Sequence, residues 1–254
     1  MKDLPQSLVS TPAVAAPPTE KMWVMTSMLC SHLESFIDNI IIIQDDKPIG
    51  ILGVKETLLG LLKNPTFEFF NQITAGEVMG GFSNIVTLQT TLSDLISMMQ
   101  HQRTGFAVIP HDKGWYSAIS VRTLLEVSAL SKTDMKASEI PKKNIITFTQ
   151  EDTMDYVLTS MFHTQTRRLV LEDYSSFISD RLILEKIAFK LNYLDGVSNF
   201  LEIKAGTFPL KKLEKISEDL PIPELAKRML GMDTPYVMTQ DRIISPWDIA
   251  LLLR

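Results

Sequence analysis

The chain is poor in the residues that most directly announce chemistry. Its 254 residues include one cysteine, Cys30, which excludes an intramolecular disulfide and any zinc site built on a cysteine cluster. Cys30 falls within an apolar helical pattern and reads as a buried, inert thiol. Only four histidines are present, and no His-x-x-x-His or Glu/His pair stands at metal-ligand spacing. His32, His101 and His163 each fall near the end of a helix, where a histidine meets the terminal carbonyls favourably. Gly-x-x-x-x-Gly-Lys, Gly-x-Ser-x-Gly and Gly-x-Gly-x-x-Gly are all missing. No metal site is expected, and the chain is not expected to be an enzyme.

Long apolar runs are missing too. The longest candidate, Ile40–Ile43, falls far short of the roughly 18 residues that span a bilayer. Membrane insertion is therefore not expected. A net charge of −5 gives no general attraction for nucleic acid or anionic lipid. Met1-Lys2-Asp3-Leu4-Pro5 lacks an apolar signal core, so a cytoplasmic location is expected. With 45% hydrophobic and 22% charged residues, the chain can fold around a core that needs no covalent staples.

What the sequence has is repetition. A helix over residues 20–32 is followed by the β-branched run Asn39–Gln44, the turn Asp45-Asp46-Lys47, a second run to Gly53 and leucines at helical spacing to Leu62. The order returns with strands over 84–88, 105–109 and 115–120 and helices over 92–101 and 121–130. It returns again with strands over 144–149, 168–171 and 175–179 and helices over 154–163 and 180–190. The last pass has strands over 213–216, 235–238 and 242–245, a helix over 223–230 and a terminal helix. The unit is β-α-β-β-α, an α/β (α+β) fold repeated four times, over residues 8–66, 67–132, 133–193 and 194–254. Gly53, Ser120, Ser179 and Ser245 mark the strand-to-helix corners, 67, 59 and 66 residues apart. Met28, Met99, Met161 and Met229 recur late in each first helix, on the face expected to be buried.

These repeats resemble tandem CBS domains. The likeness is carried by Pro48-Ile49-Gly50-Ile51-Leu52-Gly53-Val54-Lys55-Glu56, by Ala75-Gly76-Glu77-Val78-Met79, by Asn144-Ile145-Ile146-Thr147-Phe148-Thr149-Gln150-Glu151-Asp152-Thr153, and by unit ends read against the pattern Gly/small-Ile-x-Ser/Thr-x-x-Asp-Leu-Leu. It implies that repeats 1 and 2 form one Bateman module and repeats 3 and 4 another, with the two modules facing each other in a disc. Both closure within one chain and pairing with a second chain are compatible with it. In ligand-binding members the corner Ser/Thr and the Asp three residues on contact an adenosine ribose, and nearby basic side chains meet phosphates. The chemistry is sound, since one carboxylate can accept hydrogen bonds from both ribose hydroxyls while a helix start favours an anion.

Judged singly, the corners differ. Repeat 1 has Gly53 and Glu56, without a hydroxyl and with a carboxylate one methylene too long. Repeat 2 has Ser120, Arg122 and Thr123, a weaker second site reached through phosphate rather than ribose. Repeat 3 has Ser179 and Leu182, and leucine accepts no hydrogen bond. Repeat 4 alone keeps the full pair, Ser245 and Asp248. Its own approach strand carries Asp233 and Thr234, so phosphate contacts are expected from Arg167, Arg168, Lys211 and Lys212. The expectation is a regulatory module that needs no cofactor and senses AMP, ADP, ATP or S-adenosylmethionine. It would act on an effector protein that the sequence does not name, and self-associate through its modules. The alternative is a ligand-free CBS scaffold acting only in protein–protein interaction.

Overall fold

The computed structural model describes residues 10–31, 39–189 and 199–253; His32 and Lys190 lie outside them. The β-α-β-β-α order comes back four times. Repeat 1 comprises β1 (Ala15–Ala16), α1 (Met22–Ser31), β2 (Asn39–Gln44), β3 (Lys47–Gly53) and α2 (Val54–Lys63), and the short helices α3 (Glu68–Gln72) and α4 (Ala75–Val78) follow it. Repeat 2 holds α5 (Leu92–Gln102), β4 (Phe106–Pro110), β5 (Tyr116–Ser120) and α6 (Val121–Leu130). Repeat 3 has β6 (Thr147–Phe148), α7 (Met154–Thr164), β7 (Arg168–Leu171), β8 (Ser176–Ser179) and α8 (Asp180–Phe189). Repeat 4 opens with a connecting strand, β9 (Lys211–Lys212), and continues with β10 (Glu214–Lys215), α9 (Ile222–Leu230), β11 (Val237–Met238), β12 (Ile243–Ile244) and α10 (Pro246–Ala250).

Local chemistry explains the elements. The run Ile40–Ile42 is buried on both faces of its sheet, which is why it shows no polar alternation. Its hairpin closes through Asp45 and Asp46, at φ 50° and 59°. That pair of left-handed residues makes the two-residue turn whose twist matches the strands, and aspartate tolerates it. The first strand of each repeat is shorter than the pattern over 84–88 and 144–149 suggests. In repeat 2 it shrinks to one parallel bridge between Ile85 and Val108, because the chain beyond turns at once into the cap of α5, with Thr91 Oγ1 accepting from Asp94 N.

The first helices bury residues at i, i+3, i+4 and i+7, the stripe that faces a core. In α7 these are Met154, Val157, Leu158 and Met161, and in α9 they are Ile222, Leu225, Ala226 and Met229. In α1 the same places are held by Met22, Met25, Thr26 and Leu29. Met28, expected on the buried face, is therefore one position out of register and only half-buried, and Leu29 replaces it as the counterpart of Met99, Met161 and Met229.

Packing closes the four repeats into a cycle. The sheets of repeats 1 and 2 meet through Ile41, Ile51, Phe106, Val108 and Ala118. Those of repeats 3 and 4 meet through Val170, Phe177, Met238 and Ile243. Helices make the other two joints. Met25, Leu29, Leu58 and Leu61 share a core with Leu158, Met161, Ile183 and Ile187, joining repeat 1 to repeat 3. Leu125 and Ala129 share one with Leu225, Met229 and Ile249, joining repeat 2 to repeat 4. The two pairs of repeats thus face each other within a single chain, as a disc. A fully buried side chain of this size contributes about 2 kcal/mol, so neither module presents a dispensable face to the other.

The terminal helix is short, five residues followed by a 3₁₀ turn, Leu251–Leu253. So short a helix has little macrodipole. Any attraction for an anion at that corner has to come from side chains, not from the helix start.

Candidate functional site

Three of the four corners share one device. The residue three places on turns back to cap the corner's own backbone: Gly53 N donates to Glu56 Oε2 at 3.0 Å, Ser120 N to Thr123 Oγ1 at 2.9 Å, and Ser245 N to Asp248 Oδ2 at 2.8 Å. At repeat 3 only the reverse half survives, with Leu182 N donating to Ser179 Oγ at 3.3 Å. Capping is thus the common role of these residues. Asp248 is the one with chemistry left over. Its Oδ2 also takes the Ser245 hydroxyl at 2.5 Å, and its Oδ1 pairs with Lys143 Nζ, while the residue as a whole is only 4% exposed.

A second difference separates this corner from its siblings. Ile51, Ala118, Phe177 and Ile243 occupy the same place, two residues before the corner in the third strand of each repeat. Three of them are sealed by backbone pairing with the segment that leads into the partner repeat. Ile51 and Gly80 exchange both N–H···O bonds, at 3.0 and 2.8 Å. Ala118 N donates to Thr11 O at 2.8 Å, and Phe177 is registered with Lys211 of β9. At Ile243 the carbonyl instead accepts from Arg168 Nη2 at 3.4 Å. The segment leading into repeat 3 is held there by side chains, through Lys142–Asp241 and Lys143–Asp248 ion pairs.

That segment is anchored from below. Arg242, 7% exposed, donates through Nη1 to the carbonyls of Ala137, Ser138 and Ile140, and through Nε to Asp241 at 3.2 Å. The guanidinium thereby satisfies the Ser138 and Ile140 carbonyls at the end of the one-turn 3₁₀ helix Ala137–Glu139, and shares the Ala137 carbonyl with Ile140 N. Its grip fixes the backbone from which Lys142 and Lys143 project.

This arrangement leaves a cleft of about 20 Å³ that Asp248 does not line, bounded by Lys143, Asn144, Ile146, Thr166, Arg168 and Ile243 among others. The volume is that of a single water molecule, so a larger ligand requires side chains to move. Arg168 lies over the Tyr236 ring, its guanidinium carbon 4.9 Å from the centroid, and its buried Nε has no hydrogen-bond partner. A buried donor in that state costs stability until it finds an acceptor.

The expected phosphate contacts are divided by the fold. Arg168 reaches the cleft. Arg167, one residue earlier and so on the opposite face of the chain, bonds through Nε to the buried Asp180 at 2.7 Å. Lys211 approaches Asp233 at 3.8 Å, and Lys212 is exposed on β9. In the weaker second site, Thr123 caps Ser120, and Arg122 pairs with Glu126 at 3.4 Å along its own helix. Lys143 and Thr166 did not emerge from the sequence. For Lys143 a signal existed in repeat alignment, since it occupies the place that Lys211 holds in repeat 4.

Elsewhere little chemistry is concentrated. Burial pushes the Cys30 thiol up to about 12, with Glu185 adding to the rise. No cluster of metal-ligating side chains occurs among the described residues, and none of their helices is long and apolar enough to cross a membrane.

Comparisons with known proteins find likeness in structure alone. No protein-family model matches the chain, and no curated protein does so by sequence. A protein of Methanocaldococcus jannaschii, described as a proposed archaeal homologue of gamma-AMPK, superimposes over 100% of both chains with a TM-score of 0.82 at 14% identity. An uncharacterised conserved protein of Pyrococcus horikoshii covers 98% of both chains with a TM-score of 0.61 at 10% identity. A CBS domain-containing protein of Thermotoga maritima matches 49% of this chain and 91% of its own, at 16% identity and a TM-score of 0.39.

Proposed function

We propose that this chain, a tandem CBS protein in fold, is a regulatory module that binds an adenosine-containing ligand at the Asp248 corner and passes its occupancy to an effector protein. The observation that carries this reading is the exception at Ile243. Three equivalent corners are sealed by backbone pairing, whereas the fourth is closed only by side chains, with Lys143, the cation of the buried Asp248 carboxylate, and Arg168, whose Nε lacks a partner, both lining a small cleft. Coupling requires the ligand to prefer one arrangement of repeats 3 and 4, since equal affinity for two arrangements shifts nothing. Because the modules share helix cores, a change in the second module is felt by the first.

The candidate ligands are AMP, ADP, ATP and S-adenosylmethionine. Calorimetric titration with each tests the reading: heat of binding from at least one supports it, and no heat from any up to about 1 mM defeats it. The alternative, a ligand-free scaffold, is favoured by the small cleft and the three sealed corners. The same titration decides between the two.

A further inference from the structure

We propose that Lys143 is an exchangeable counter-ion built into the Asp248 site, and that it makes the site select adenosine ligands that carry phosphate. The inference rests on the adenosine site proposed above and names the ligand class it takes. The carboxylate of Asp248 has one oxygen occupied by Ser245 N and Ser245 Oγ and the other by the Lys143 ammonium. A ribose diol that reaches Asp248 has to take the second oxygen from Lys143.

Lys143 is able to yield it. Its side chain is 54% exposed, on a flexible four-carbon stem, whereas Asp248 is held at 3%. The backbone beneath does not follow, because Arg242 binds three carbonyls just upstream and Lys142 pairs with Asp241. The released ammonium therefore stays within one side-chain length of the cleft. Arg168 already lines that cleft with a buried Nε lacking an acceptor.

Charge then discriminates among ligands. Uncharged adenosine satisfies Asp248 but leaves two cations, Lys143 and Arg168, without an anion. A phosphate beyond the ribose accepts from both, and so replaces the ion pair that binding breaks. S-adenosylmethionine brings a sulfonium towards the same two cations and is disfavoured. The lysine thus lowers affinity for the nucleoside and raises it for the nucleotide.

The test is a comparison of adenosine, AMP and S-adenosylmethionine binding to wild type, Lys143→Met and Lys143→Arg. In wild type, AMP is expected to bind more tightly than adenosine by at least about tenfold, with S-adenosylmethionine weakest. Lys143→Met should tighten adenosine binding and weaken AMP binding, so that their affinity ratio falls by about tenfold or more. Lys143→Arg should retain the preference for AMP. Circular dichroism and a cooperative melting transition would show that the variants are folded, with Lys143→Met melting lower because it leaves the buried Asp248 carboxylate without its cation. An AMP-to-adenosine ratio equal in wild type and Lys143→Met overturns the counter-ion role while leaving the adenosine site standing. Absence of binding by all three ligands to both proteins removes the site itself, and the inference with it.

Discussion

Arg168 and Tyr236 are counterparts in repeats 3 and 4, and they meet, with the guanidinium carbon 4.9 Å from the ring centroid. Arg168 lies opposite Ser179 in its hairpin, and Tyr236 stands one residue before the registered pair Val237–Ile244, beside Ser245. The approximate two-fold relation between the repeats thus becomes chemically asymmetric at its centre. One side contributes a cation and the other the ring that holds it next to the Asp248 corner.

Arg168→Met tests what that asymmetry is for. The substitution loses the ring contact and the bond to Ile243 O but also removes a buried N–H without a partner. Denaturation in urea should show a stability change within about 1 kcal/mol. Nucleotide affinity should fall at least about tenfold. A large loss of stability with unchanged affinity would assign Arg168 to the module interface alone.

Arg242→Met should behave in the opposite way. Its guanidinium is buried and donates to the Ser138 and Ile140 carbonyls, so the variant is expected to lose roughly 2 to 4 kcal/mol in urea denaturation. Hydrogen exchange should rise first around residues 137–143. Uniform protection there would show that other contacts hold the segment down.

Cys30 gives a prediction in pH. With the thiol pushed up to about 12, roughly one in ten thousand is ionised at pH 8. Alkylation by iodoacetamide should be negligible in the folded protein and prompt in urea. Because the folded value is raised, the associated stability is present below the ordinary value of 9.0 and is lost as pH rises towards 12. Fast labelling of folded protein at pH 8 would contradict the burial of α1 against α8.

The repeats and their order were legible because each unit writes the same alternation of β-branched runs, helical leucines and corner residues. Asp248 stood out for the same reason, by comparison with Glu56, Thr123 and Leu182. Repeat alignment marks Lys143 as the counterpart of Lys211, but its partner was not legible. Its contact with Asp248 spans 105 residues and exists only because the segment before repeat 3 does not pair with β12. Arg167 and Arg168 are adjacent in sequence, yet they serve different partners on opposite sides of one strand, which period-two geometry allows but composition does not reveal. The slip from Leu29 to Met28 has a simple cause. Apolar residues surround α1 on most of its circumference, so the buried face is not marked by polar neighbours.

The central claim is that the chain holds one adenosine-type site and that Asp248 forms it. Equilibrium dialysis against labelled AMP, with wild type, Asp248→Asn and Glu56→Gln in parallel, measures this directly. The account predicts one AMP per chain for wild type and Glu56→Gln, and none for Asp248→Asn, whose amide still accepts from Ser245 N but neither neutralises Lys143 nor receives both ribose hydroxyls as a carboxylate does. Two or more AMP per chain, or full binding by Asp248→Asn, would contradict it.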